Sequence, residues 1–160
     1  MTTLAIWKTD EDTLKAADSY ELVLYLRGKE LDVSLLTSIL GTTPTDSRMR
    51  GEERRSKTGV SVKTKVGFWS LSAFGASPSE SVASMARAFG GQLRDLSSLP
   101  GVEEAYFDMF VTFEPGENTG SEVNLDWEPD ALQELARSKL PLVITFAVIG
   151  LGGNRAVDLP

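Results

Sequence analysis

The alternation of apolar residues in YELVLYLRG, Tyr20–Gly28, is the feature that most constrains the fold of this chain. One face of this stretch carries three leucines, and the other face is mixed: Leu22, Leu24 and Leu26 against Val23, Tyr25 and Arg27. Because successive side chains of a strand point to opposite faces, this pattern predicts a strand with one wholly apolar face. Such a face has to be buried, and we expect the following helix to pack its apolar stripe on the sheet.

Three segments have the spacing and the end signals of helices. Asp32 and Gly41 are the predicted N-cap and C-cap of a short helix. A longer helix is predicted with Pro78 in its first turn, and the glycine pair 90–91 is expected to kink or break it. The third helix begins at Pro129. The helices therefore alternate with extended segments along the chain.

The remaining extended segments complete the predicted sheet. The stretch 59–74 is either one bulged strand or a hairpin, with Gly67 at the irregular position, and a further strand lies within 102–116. The run 142–149 is apolar on both faces, which predicts a central strand rather than an edge.

This order of elements predicts the fold class and the domain organisation. We expect a two-layer α+β sandwich, with a mixed or antiparallel sheet, helices on one face, and a ferredoxin-like or split βαβ arrangement. Residues 19–160 are predicted to form a single domain, because no linker or repeat divides them. Residues 1–18 are predicted to be an N-terminal arm or an extra edge strand.

Positive charge is concentrated in one Gly-, Ser- and Thr-rich part of an acidic chain. Residues 47–65 hold seven basic and two acidic residues, a net charge of +5, whereas the whole chain carries -7 and the remainder therefore -12. The segment 41–59 has no usable periodicity and is predicted to be a long exposed loop with fixed ends and a mobile middle, turning at Gly51 through positive φ. Two interpretations of this segment are open. It is a site that binds an anion or a partner, or it is a solvated loop whose positive charge offsets the negative charge of the remaining chain.

The candidate binding residues come from this basic segment and the aromatic strand after it: Arg48, Arg50, Arg54, Arg55, Lys57 and Trp69. Two interpretations of the aromatic strand GFWSLSAFG remain open. Its rings stack on a ligand, or they are buried under a helix.

The composition excludes several chemistries. The chain has no Cys and no His, which removes disulfides, thiolate sites, thiol nucleophiles and the commonest general base and metal ligand. Lys63, Lys65, Tyr25 and Tyr106 are the only unusual bases, and no nucleophile is placed beside them. We therefore predict no catalytic residues, no metal and no cofactor, and the acidic DWEPD segment lacks the glycine and spacing of a calcium loop.

The sequence also bears on location and partners. The N-terminus lacks the pattern of a signal peptide, and the longest apolar run, LPLVITFAVIGL, is shorter than the ~20 residues of a membrane span. A cytoplasmic protein without membrane association is expected. The acidic balance argues against general nucleic-acid binding. The oligomeric state is left open.

Several quoted segments resemble a known family in their order along the chain: ELVLYLRG, LDVSLLTSILGTTPT, SRMRGEE and VGFWSLSA. This order resembles the bacterial domain-of-unknown-function family catalogued as number 4279, over residues 19–149. Its most specific part is Leu40-Gly41 with Pro44-Thr45, followed by Gly51 and Trp69, and Arg50 stands where the family's turn carries a lysine. The resemblance implies an α/β sandwich in a bacterial protein, with no established reaction and no catalytic residues.

Two functional hypotheses follow from these observations. The first is a non-enzymatic binding module, with an immunity-type protein bound to a basic, toxin-like partner as its specific form, because an acidic surface is steered onto a basic one. The alternative is a small-molecule protein or enzyme that binds phosphate or carboxylate with Arg48, Arg50 and Arg54 as an anion clamp.

Overall fold

In the described part of the chain, three helices cover one face of a five-stranded mixed sheet, which confirms the predicted two-layer α+β class. The computed structural model describes residues 20–55, 59–113 and 125–148, together with the backbone at 6–7 and 16–17. The elements in chain order are β1 Ile6–Trp7, β2 Ala16–Ala17, β3 Tyr20–Gly28, α1 Val33–Leu40, β4 Asp46–Arg48, β5 Glu53–Arg55, β6 Ser61–Lys63, β7 Gly67–Gly75, α2 Pro78–Ala88, β8 Glu104–Phe113, α3 Pro129–Ser138 and β9 Leu142–Val148.

The strand order in the main sheet is β4-β7-β3-β8-β9. β3 lies in the centre and is antiparallel to both β7 and β8, so β7, α2 and β8 form a split βαβ unit with β3 between its strands. β8 and β9 are adjacent and parallel, joined through α3. The split βαβ arrangement predicted from the element order is therefore present, and a βαβ unit with adjacent strands extends it at one side.

The core lies between the sheet and the three helices. Leu24 of β3 is opposite Leu71 on one side and Phe107 on the other, so the leucine face of β3 continues across its neighbours. Val82 and Met85 of α2 and Leu36 of α1 fill the helix side of this layer, and each of these side chains is fully buried. The alternation seen in Tyr20–Gly28 thus sets which face of the sheet the helices cover.

The predicted helix ends agree with the structure. The Asp32 carboxylate accepts a hydrogen bond from the Leu35 amide at 2.9 Å, and Gly41 ends α1 with φ of 69° while its N–H bonds the Thr37 carbonyl. α2 ends at Ala88, ahead of the glycine pair 90–91. Leu93 and Leu96, which follow this pair, remain in the core although they are not helical.

The prediction that β9 is a central strand is wrong: in the described part of the chain it is the last strand of the sheet. Val143 and Phe146 are 45% and 51% exposed. The apolar character of a run describes the side chains on the two faces of a strand. It does not indicate whether one or both backbone edges of that strand are hydrogen-bonded to a neighbour. Only β8 pairs with β9 among the described strands.

The basic segment is more regular than the long loop predicted for it. β4 pairs with β7 at the edge of the main sheet, and β5 pairs with β6 in a separate two-stranded ladder. All side chains of β5 and β6 are exposed, so these strands carry no apolar periodicity, and their pairing rests on main-chain hydrogen bonds. Gly51, at the predicted positive φ, has a value of 85° and its N–H bonds the Thr64 carbonyl.

Two further extended segments lie wholly or partly outside the main sheet. Both interpretations of the stretch 59–74, one bulged strand or a hairpin, are wrong: it contains two strands that do not pair with each other, because β6 pairs with β5 whereas β7, which begins at Gly67, joins the main sheet. In the N-terminal segment, the described residues of β1 and β2 pair with each other and do not extend the main sheet.

Candidate functional site on the open face of the sheet

The face of the sheet opposite the helices carries the mixed side of β3 and is called the open face here. Because side chains alternate, burying the leucines of β3 beneath the helices places Glu21, Val23, Tyr25 and Arg27 on this other face. None of the three described helices contributes to the lining of its cavities.

The larger concavity on the open face has a volume of about 770 Å³. It is lined by Glu21, Val23, Tyr25, Arg27, Thr45, Asp46, Val66, Phe68, Ser70, Ser72, Glu103, Glu104 and Phe110. Its ionisable acids and bases, setting aside tyrosine, are four carboxylates and one guanidinium: Glu21, Asp46, Glu103 and Glu104 against Arg27. The concavity therefore combines an aromatic and hydroxyl-bearing floor with a net negative rim.

A cation and two tyrosine rings lie together on the open face, and of these three residues Tyr25 and Arg27 line the larger cavity. Tyr25 and Tyr106 are directly opposite each other on β3 and β8, and their ring centroids are 5.3 Å apart. The guanidinium carbon of Arg27 lies 5.6 Å from the Tyr25 centroid and 5.8 Å from the Tyr106 centroid. An Arg27 nitrogen also lies 3.7 Å from a carboxylate oxygen of Glu104. The open face thus binds one guanidinium of the chain itself by stacking and charge.

The position of Tyr25 changes the acidity of its hydroxyl. Burial raises the pKa of Tyr25 above its ordinary value of 10.0, and the negative charges of Asp108 and Glu21 and the neighbouring Tyr106 raise it further. Arg27 opposes this shift. The tyrosinate form of Tyr25 is therefore scarcer at neutral pH than that of a free tyrosine, which makes this residue a poor general base.

A smaller cavity of about 380 Å³ lies on the β8–β9 side of the open face. It is lined by Glu104, Ala105, Tyr106, Asp108, Pro141 and Val143. Asp108 is only 9% exposed, and the Thr145 hydroxyl donates a hydrogen bond of 2.8 Å to its Oδ1. Tyr106 lines this cavity and also touches Tyr25 and Arg27 of the larger one, so the two concavities are neighbours.

Among the predicted site residues that the structure describes, Arg48 is the one that joins the edge of the open face. It is half-buried on β4, its guanidinium carbon lies 5.2 Å from the Phe68 ring centroid, and one of its nitrogens lies 3.4 Å from an Asp46 carboxylate oxygen. Asp46 and Phe68 both line the larger cavity. Arg48 therefore braces the rim of this cavity.

The other predicted cations lie elsewhere. An Arg50 nitrogen is 3.3 Å from a carboxylate oxygen of Glu30, and Arg54 and Arg55 are exposed on β5. In residues 20–55, 59–112 and 125–147, no ion pair of Arg54 or Arg55 is found. Lys57 lies outside the described residues. The structure does not bring the predicted set together as one site.

Trp69 lies in the core and does not reach the open face. It is fully buried, and its indole N–H donates a hydrogen bond of 3.1 Å to the Thr37 hydroxyl of α1. Of the two interpretations left open for the aromatic strand, burial under a helix describes Trp69, whereas Phe68 has the opposite orientation and lines the larger cavity.

The described part of the chain lacks two further kinds of feature. Within it, no group of three or more acidic side chains is arranged to hold a metal ion. None of its helices has the length and the apolar character needed to cross a membrane.

Comparison with known families identifies a family whose model matches the chain. The model of DUF4279, a domain of unknown function, matches residues 18–98, which is just over half of the chain. The chain belongs to this family. The DUF4279 match spans β3, β4 and β7, which carry most of the larger cavity, whereas β8 and β9 lie beyond it. No curated protein and no solved structure matches the chain.

Sequence reasoning missed the grouping of Arg27, Asp108 and the two glutamates 103 and 104. The available signal was the mixed face of Tyr20–Gly28, which marks the side of the sheet that the helices leave free. Tyr25 and Tyr106 were noted only as unusual bases. Their pairing across two strands that are distant in sequence follows from the register of β3 and β8.

Proposed function

We propose that the protein is a binding module rather than an enzyme and that its open face binds a basic protein partner. The observation that carries this proposal is the larger cavity, in which four carboxylates and one guanidinium surround an aromatic floor. An acidic concavity favours a partner of opposite charge through complementary potentials.

The overall charge supports the same partner class. The chain outside residues 47–65 carries -12, so a basic protein is attracted to it over a distance comparable with the Debye length, about 8–10 Å in salt. Such attraction raises the association rate and falls with ionic strength.

The floor of the cavity supports an interface with a protein. Tyrosine and phenylalanine are enriched at the centres of protein interfaces, because their rings bury a large area at low entropic cost and tyrosine adds a hydroxyl. Tyr25, Phe68 and Phe110 supply these rings in the larger cavity, and Ser70 and Ser72 supply hydroxyls beside them.

An immunity-type role, in which the basic partner is a toxin, is the most specific form of this proposal. It rests on charge complementarity between an acidic protein and a basic one. The anion-clamp alternative has less support, because Arg48 and Arg50 already lie beside the carboxylates of Asp46 and Glu30. A phosphate or carboxylate ligand has to displace these internal partners.

The test measures the affinity of a purified basic partner for variants of the open face. A partner is first captured on the immobilised protein at low salt, identified and purified. Its dissociation constant is then measured by titration calorimetry with wild-type protein and with the double variant Glu21→Gln, Glu103→Gln. Both carboxylates line the larger cavity, and neither is in a described ion pair.

The matched control is the double variant Asp126→Asn, Glu128→Gln. It makes the same change in net charge at exposed positions leading into α3, on the helix layer. We expect the open-face variant to weaken binding by about tenfold or more and the control by about threefold or less, because rim charges act locally as well as through net charge. Equal effects of the two variants, or retention of no basic protein at low salt, refute the proposal.

A further inference from the structure

We propose that the smaller cavity binds one arginine side chain of the partner, with Asp108 and Glu104 accepting hydrogen bonds from its guanidinium and Tyr106 stacking against it. This assignment rests on the proposed function, because it gives the cavity to a residue of the same basic partner. It names the chemical group that the β8–β9 side of the open face recognises.

The burial of Asp108 is the first observation behind this assignment. The residue is only 9% exposed, and its described hydrogen bond, from Thr145, reaches only Oδ1. Among the described residues, no cation lies within ion-pair distance of this carboxylate. A buried carboxylate is costly unless a positive charge or several hydrogen bonds compensate it. Oδ2 therefore has the chemistry to accept from a cation that enters the cavity.

The second observation is the composition of the cavity wall. Its ionisable acids and bases other than tyrosine are Glu104 and Asp108, so it holds two carboxylates and no basic side chain. Tyr106 adds an aromatic ring, and Pro141 and Val143 add apolar surface. An arginine side chain matches all three features, because its guanidinium binds carboxylates and stacks on rings while its aliphatic stem packs on apolar groups.

The third observation is the behaviour of the chain's own arginine on this face. Arg27 stacks on Tyr25 and Tyr106 and lies 3.7 Å from Glu104, so Tyr106 and Glu104 already interact with one guanidinium on the side of the larger cavity. Both residues also line the smaller cavity. The volume of about 380 Å³ is ample for a second guanidinium and its stem.

The assignment is tested with a small probe, so that the experiment does not depend on the natural partner. The ¹⁵N-labelled full chain is titrated with argininamide, and chemical-shift changes are followed at residues 104–108 and 141–145. Citrullinamide, which replaces the guanidinium by a neutral urea of the same shape, is the matched ligand. We expect a dissociation constant on the order of 1 mM for argininamide, in keeping with the size of the ligand, and no saturable shift with citrullinamide.

Asp108→Asn is the first variant, because it removes the charge with little change of shape and retains an acceptor for Thr145. It is expected to weaken argininamide binding by about tenfold or more. Tyr106→Leu is the second variant, and loss of stacking is expected to weaken binding about threefold. Asp126→Asn, at an exposed position leading into α3 on the helix layer, is the control and is expected to change affinity by less than about twofold.

Three results overturn the assignment. The first is that citrullinamide binds with the same affinity as argininamide, and the second is that lysinamide binds as tightly as argininamide. The third is that the folded Asp108→Asn and Tyr106→Leu variants bind argininamide with the same affinity as wild type. The assignment also fails if argininamide causes no chemical-shift changes while a basic partner binds the wild-type protein and binds the Glu21→Gln, Glu103→Gln variant more weakly. In that case the proposed function remains intact. Specific argininamide binding without any basic protein partner supports guanidinium recognition by the smaller cavity, but it removes the proposed function and with it the partner as the source of the arginine.

Discussion

A few ionisable residues determine the character of the open face at the scale of single side chains. Arg27 neutralises part of the carboxylate charge around it while it stacks on Tyr25 and Tyr106. Asp108 and Glu21 keep the same region negative, and this charge adds to burial in raising the pKa of Tyr25. The face is therefore acidic without being uniformly charged.

Tyr25→Phe is expected to change how stability depends on alkaline pH. Because the folded-state pKa of Tyr25 is raised, its contribution to the free energy of unfolding is fully present below the unfolded value of about 10 and is lost as pH rises through the folded value. Urea unfolding of wild type and variant at pH 8 and at about pH 11 measures this loss. A smaller loss in the variant is expected, and an equal loss in both proteins contradicts the shift.

Replacing Arg54 and Arg55 by alanine is expected to change the free energy of unfolding by less than about 0.5 kcal/mol. Both side chains are exposed, and no described carboxylate pairs with them. Trp69→Ala is the contrasting variant, because this residue is fully buried, and it is expected to cost about 3–5 kcal/mol. Denaturant unfolding compares the two. A loss of several kcal/mol for the arginine pair shows that these charges are structural.

At the scale of elements, the end of β3 determines where the acidic rim lies. The Glu103 N–H donates a hydrogen bond of 2.8 Å to the Arg27 carbonyl. The turn before Glu103 also approaches β3 closely, because a Cβ added at Gly28 would lie 1.8 Å from the Gly101 carbonyl oxygen. Because Gly28 has no side chain, Glu103 and Glu104 can lie beside the end of β3, where both line the larger cavity.

Gly28→Ala is expected to destabilise the protein by about 1–3 kcal/mol, because backbone atoms have to move to admit the methyl group. Gly67→Ala is the matched control. Gly67 is directly opposite Gly28 in the β3–β7 register, and its nearest neighbours to a new Cβ are 3.3 Å away. Thermal or urea unfolding measures both variants. If Gly67→Ala costs more than Gly28→Ala, the close approach of the turn is not the limiting contact.

At the scale of the whole molecule, one apolar cluster joins the main elements. It contains buried residues of β3, α1, β7, α2, β8 and α3, and Trp127 packs against it from the segment before α3. Elements that share one core are expected to unfold together.

Unfolding is therefore expected to be a single cooperative transition, as predicted for one domain over residues 19–160. Tryptophan fluorescence reports on the three tryptophans, of which Trp69 and Trp127 lie in or beside the core, whereas far-ultraviolet circular dichroism reports on the helices and strands. The two probes are expected to give the same midpoint in urea. Separate midpoints contradict a single cooperative unit.

Much of the fold was predictable because its signals are local. The alternation in Tyr20–Gly28 fixed a strand and its buried face, and Asp32 and Gly41 fixed both ends of α1. Strand pleat and helix capping depend on residues within a few positions of one another, so they are legible in the sequence. The order of these elements was enough for the α+β class.

The candidate site required the tertiary structure. Tyr25 meets Tyr106 only because β3 and β8 are paired in one register, and Arg48 and Arg50 are engaged only because Asp46 and Glu30 lie beside them. The sequence by itself determined β3, β8 and β9 as strands, the helices, the buried face and the acidic balance. The tertiary structure decided which strands are neighbours, that β9 lies at an edge of the described sheet, and which charges face one cavity. These depend on contacts between distant residues, whose pairing is set by the packing of the whole core rather than by local spacing.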